Sequence, residues 1–104
     1  MNEASLTLDL AELVMGWGAT PDRLIKSGRS WIPQWRFQPL EELADAFQLL
    51  DQAANRYSLS KDRNGVFSAR VQIAGRCGKA SGELRVRTIT IAVARALGLE
   101  VQGA

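Results

Sequence analysis

The hydrophobic period of this chain changes halfway along, and that change restricts the fold more than any other feature of the sequence. From about Leu40 to Asn55, after Pro39, apolar residues recur at helical spacing, with Leu40, Leu43, Ala44, Phe47, Leu50 and Ala54 on one stripe. From Tyr57 to Ser60 and again from Val66 to Ala74, apolar and polar residues alternate, which is the period of a strand. In the second run Phe67, Ala69, Val71 and Ile73 share one face, while Val66, Ser68, Arg70 and Gln72 share the other. Only the first face belongs in a core. A sheet covered on one side is the antiparallel case, because parallel sheets are covered on both faces and read as continuous apolar runs. The expected class is therefore α+β: an antiparallel sheet of three or more strands packed with three helices, an α/β/α-type sandwich.

The other elements follow from the same rules. Leu6, Leu10, Leu13 and Val14 predict a first helix from about Leu6 to Met15, closed by Gly16 as a C-terminal cap, with Trp17 folding back onto the core. Ser27-Gly28 can close a short hairpin between Leu24-Ile25 and Trp31-Ile32, and Pro33 confines that second arm to an edge. Asn64-Gly65 signals a turn between the alternating runs. Gly75 to Gly82 reads as a flexible basic loop, and Glu83 to Arg87 as a third strand with Leu84 and Val86 inward. Thr88 is then placed as the N-cap of a closing helix from about Ile89 to Leu97, ended by Gly98.

With 104 residues, 46% hydrophobic and 23% charged, the chain has material for one hydrophobic core, so a single domain over 1–104 is expected. The N-terminus lacks the basic start of a signal peptide, and no apolar window approaches the roughly 18 residues of a membrane span. A soluble cytoplasmic protein with no membrane partner is the expectation. Histidine is absent, which removes the usual general base and the commonest metal ligand. A single cysteine, Cys77, supplies neither an internal disulfide nor a structural zinc site. Glu41, Glu42 and Asp45 crowd the start of the second helix, where the helix dipole favours carboxylates. These residues point away from an enzyme, and no cofactor or metal is expected.

Charge is distributed unevenly. Residues 1–55 hold four basic and eight acidic side chains, whereas residues 56–104 hold nine basic and three acidic. Such asymmetry attracts an acidic partner, or it is neutralised within the fold or across a homodimer. The glycines and cations of Gly75 to Gly82, with Arg85 and Arg87 on one face of the expected third strand, can turn backbone N–H groups toward a phosphate-bearing ligand. They do not form a P-loop, since the Gly-Lys-Ser/Thr ending is missing. Trp31, Trp35 and Phe37, interleaved with Arg29 and Arg36, have the mixture used for stacking on bases, and equally the bulk that a small core needs.

The order of these signals resembles the phage ABA-sandwich domain family, small proteins encoded by bacteriophages and prophages. The resemblance covers most of the chain. It is carried by Leu13-Val14-Met15-Gly16-Trp17, the helix Leu43 to Leu50, the strand Val66 to Ile73 and the alanine-rich run Thr88 to Leu97. The lead into the second helix departs from the family, reading Trp35-Arg36-Phe37-Gln38-Pro39 where a Tyr-Ser-Thr type is common. No functional residues carry over. The resemblance implies an accessory factor of the host bacterial cytoplasm, where small phage proteins counter immunity by occluding an effector, as anti-CRISPR proteins do, or by sequestering a nucleotide signal. The leading expectation is a non-enzymatic binding protein whose partner is a host protein, such as an immune effector complex. Its contact residues would be Arg70, Arg76, Lys79, Arg85 and Arg87 together with Trp31 and Trp35. A nucleotide or phosphate sponge built on Gly75 to Gly82, and a nucleic-acid-binding module, are the alternatives.

Overall fold

From Thr88 to Ala96 the only large polar side chain is Arg95, and this segment becomes the centre of the molecule. The structure is a computed structural model that describes residues 3–27, 29–99 and 101. In chain order the elements are α1 (Glu3–Leu13), β1 (Gly18–Ala19), β2 (Arg23–Ser27), β3 (Ser30–Pro33), a 3-10 turn (Gln34–Arg36), α2 (Leu43–Ala53), β4 (Arg56–Lys61), β5 (Phe67–Ile73), β6 (Arg76–Gly82) and α3 (Arg85–Ala96). The strands form two three-stranded antiparallel sheets, ordered β1-β2-β3 and β4-β5-β6. This is an α+β fold with three helices, as expected, but with a second sheet in the N-terminal half.

Helix α3 packs on β5 and β6 with one side and meets α2 with another. Its residues from Thr88 to Ala94, and Ala96, are buried. Small side chains make this depth of packing possible. Gly78 and Ala80 point inward from β6, and a Cβ on Gly78 would stand 2.2 Å from the Ala92 carbonyl oxygen and 2.3 Å from the Ala96 nitrogen. The core cluster also holds Leu10, Leu24, Phe37, Leu49, Leu50, Val71, Ile89, Ile91 and Val93, all buried and each contributing about 1.5–3 kcal/mol of hydrophobic stabilisation. The two threonines of α3 are satisfied inside it. The Thr88 hydroxyl donates to the Leu84 carbonyl at 2.8 Å, and the Thr90 hydroxyl donates to the carbonyl of buried Pro39, which ties the connection before α2 to the central helix.

Several expectations are corrected here. Gly75 to Gly82 is not a flexible loop: after a two-residue turn at Ala74-Gly75 the segment becomes strand β6, paired with β5 from Ile73↔Arg76 to Phe67↔Gly82. Gly78 and Gly82, which read as loop residues, are inward positions of a strand under a helix. Glu83 to Arg87 is not a strand either, because α3 begins at Arg85; Leu84 is its N-cap residue and is 64% exposed rather than inward. Thr88 lies inside the helix, not at its cap. In α1, Leu13 is exposed and Ala11 is buried instead, since the chain returns over that side with the Trp17 N–H donating to the Ala11 carbonyl at 3.1 Å. Helix α2 starts at Leu43, leaving Leu40 buried in the preceding turn and Ala44 exposed.

The remaining local signals hold. Gly16 has φ 70° just beyond α1, and Trp17 meets Phe37 edge to face at 5.1 Å. At the end of α3, Gly98 has φ 88° while its N–H reaches the Arg95 carbonyl and that of Leu99 the Ala94 carbonyl, a Schellman closure. Strands β2 and β3 pair Leu24 with Ile32 and Ile25 with Trp31, and Pro33 ends the edge strand; the expected turn residue Gly28 lies outside the described residues. Between β4 and β5 the connection spans residues 62–66, with the Asp62 carboxylate accepting from the Asn64 and Val66 N–H groups at 2.8 and 3.0 Å.

Candidate functional site

The outward alternation of β5 sets the most distinctive surface of the molecule. Because opposed residues of paired strands share a face, the registers place three rows side by side across β4, β5 and β6. These are Arg56, Gln72 and Cys77; Ser58, Arg70 and Lys79; and Ser60, Ser68 and Ser81. All nine are exposed. Three cations, four hydroxyls, an amide and a thiol make up the face, and no carboxylate joins them. Two shallow grooves of about 470 and 390 Å³ run over it and share Ser58 and Arg70. Arg95 reaches the rim of the larger one, held by donation to the Lys79 carbonyl at 2.8 Å and to the Val101 carbonyl at 3.2 Å.

Arg70 and Lys79 stand directly opposite each other, an arrangement of like charges that a sheet normally disfavours. Among the described residues neither they nor Arg56 form an ion pair; the pairs present are Arg23 with Asp22 at 3.6 Å and Arg87 with Glu3. Chemically the face offers charge-assisted donors and flanking hydroxyls to an anion.

Of the seven residues singled out in the sequence, only Arg70 and Lys79 meet. Arg76 opposes Ile73 and so points to the other side of the sheet, where its guanidinium lies against Gly98 at the C-terminus of α3. There it compensates the negative end of the helix dipole. Arg85 and Arg87 occupy the first turn of α3, an end that disfavours cations, and each has an intramolecular partner: Glu3 for Arg87, and the Phe67 ring, 5.9 Å away, for Arg85. They do not extend the basic face, because the strand assumed to carry them is a helix.

Trp31 and Trp35 belong to the other half of the fold, 46% and 71% exposed. Arg23 lies over the Trp31 ring at 4.1 Å, and Trp35 borders a separate groove of about 550 Å³ with Leu8, Phe37 and Leu40. Sequence reasoning missed Arg56, Arg95 and the four serines. A two-residue turn at Asn64-Gly65 would have set Ser58 against Val71, so only the longer connection over residues 62–66 places Arg56, Ser58 and Ser60 on the outward face, and β6 had to be recognised as a strand before Ser81 and the rim could be placed. Among the described residues no group of three or more His, Cys, Asp or Glu side chains could hold a metal ion, and no helix is long and apolar enough to cross a membrane.

No protein-family profile and no curated protein matches the sequence. The fold is similar to the crystal structure of a phage protein from Bacillus cereus, at TM-score 0.76 and 17% identity over 98% of this chain and 93% of that one. At that identity the likeness is one of fold, and the architecture described above is one that a phage protein also uses.

Proposed function

We propose that this chain is a non-catalytic binding protein, a phage or prophage accessory factor of the host cytoplasm, that occludes an acidic surface of a host protein such as an immune effector complex. The opposed Arg70 and Lys79, without a carboxylate on the same face, are the observation that carries this reading. Holding two like charges side by side costs folding free energy, and an anionic partner recovers it on binding. The phage setting is supported by the shared fold and by the family resemblance of the sequence. The absence of histidine supports a role in occupation rather than turnover.

The test compares the wild-type chain with an Arg70→Glu/Lys79→Glu variant in bacteria carrying an active defence system. Both side chains are exposed, so the variant is expected to fold normally while losing protection of the phage and losing the captured host protein. Equal phage plating and an equal captured set for both proteins would overturn the proposal.

A second reading is favoured by the serines beside the cations: Ser58 and Ser68 adjoin Arg70, and Ser81 lies two residues from Lys79, which suits the oxygens of a phosphate. In that case cyclic or linear nucleotides raise the melting temperature, or nucleic acid shows a salt-dependent gel shift. No response to either removes this reading.

A further inference from the structure

We infer that two copies of this chain associate through the open edge of β4, joining their second sheets into one six-stranded antiparallel sheet. Among the described residues β4 pairs only with β5, in an uninterrupted register from Arg56↔Gln72 to Lys61↔Phe67, so its other edge presents unpaired backbone groups with neither bulge nor proline to blunt it. Helix α3 packs chiefly on β5 and β6, and Leu59 and Lys61 of β4 border an open groove of about 250 Å³ with Phe47, Arg85 and Ile89 rather than a closed contact. On the core side of the sheet Val71 and Ala69 are buried, whereas Tyr57 and Leu59, opposite them on β4, remain 43% and 39% exposed. Two apolar side chains therefore stand beside an open edge. Lys61, the cation that would be expected to guard it, is turned onto the Phe67 ring at 5.6 Å.

The occupant is set by register. A two-fold axis perpendicular to the sheet keeps core side with core side, so opposed positions must sum to an even number. Centred on Ser58, the pairing sets Tyr57 against Leu59 of the second copy, twice, and Arg56 against Ser60, twice. Both bare apolar residues are then covered by aromatic-aliphatic pairs, and no like charges are opposed. Centring on Leu59 instead would set Tyr57 against Lys61 and draw an ammonium to the apolar side. In the Ser58 register the two copies of Arg56 lie four residues apart along the seam, about 14 Å at about 3.4 Å per residue, beyond a screening length of about 8 Å. The outer faces become continuous and double the set of Arg56, Arg70 and Lys79. An interface of one strand per copy is small, so association in the micromolar range is expected.

Sedimentation equilibrium over a concentration series reads the dimer directly, and Tyr57→Lys/Leu59→Lys is expected to weaken it by about tenfold or more. A disulfide test reads the register without relying on that variant. In a Cys77→Ser background, Ser58→Cys is expected to crosslink to itself on mild oxidation, whereas Ser60→Cys, set against Arg56, does not. A chain that stays monomeric at every concentration, a dimer indifferent to the double lysine variant, or equal crosslinking at both positions would each overturn the inference. Because the readout is mass, none of these results bears on whether the basic face binds a host partner.

Discussion

Gly78→Ala removes the condition on which the packing of α3 rests. The added Cβ would stand 2.2 Å from the Ala92 oxygen, 2.3 Å from the Ala96 nitrogen and 2.9 Å from the Ala96 Cα, all backbone atoms that cannot rotate aside. Ordinary contact needs about 3.5 Å, so β6 and α3 must separate by about 1.3 Å at that point. A gap of about 0.5–1 Å already forfeits a quarter to a half of each dispersion contact along it. This helix buries its residues from Thr88 to Ala94 and Ala96, so the loss spreads along the whole element. A cost of about 3 kcal/mol or more is expected, above the common range for overpacking because the obstructing atoms are main chain. Urea denaturation followed by circular dichroism, with a slope of about 2 kcal/mol per molar, would place the midpoint about 1.5 M below wild type. Gly18→Ala, where nothing lies within 4 Å of the added Cβ, is the control and should stay within about 0.5 kcal/mol. A Gly78→Ala midpoint within about 0.3 M of wild type would refute the close approach of strand and helix.

Thr90→Val keeps the volume but leaves the buried Pro39 carbonyl without its donor, for an expected loss of about 1–3 kcal/mol by the same denaturation assay. Ala74 is held at φ 49° in the turn between β5 and β6, so Ala74→Asn, which tolerates that region better and keeps the main-chain N–H donated to the Asn55 side chain, should raise stability by about 0.5–1 kcal/mol. Arg76→Ala should cost about 0.3–1 kcal/mol, less at high salt, while leaving capture of the proposed host partner intact; loss of capture would return Arg76 to the proposed binding face.

Much of the fold was legible because local physics and tertiary structure agree in those places. The helical period of α2, although its buried residues are Ala46, Leu49 and Leu50 rather than the whole expected stripe, the inward face Phe67, Ala69, Val71 and Ile73, and the glycines after α1 and α3 each follow from spacing or from a backbone conformation that only glycine adopts cheaply. Strand β6 was not legible by those rules. Its inward positions Gly78, Ala80 and Gly82 carry so little apolar area that alternation vanishes from a hydrophobicity reading, and glycine normally argues against a strand. With β6 in place of a loop, α3 begins at Arg85, and Arg85 and Arg87 leave the outline of the basic face.

Composition and the periods read within single elements are enough to set the class of fold, the absence of histidine and the basic character of the second half. Which cations share a face was decided only by tertiary structure. Pairing β5 with β6 set Arg70 beside Lys79 and sent Arg76 to the far side, because side-chain direction alternates along a strand and its partner is chosen by a helix that needs Gly78 beneath it.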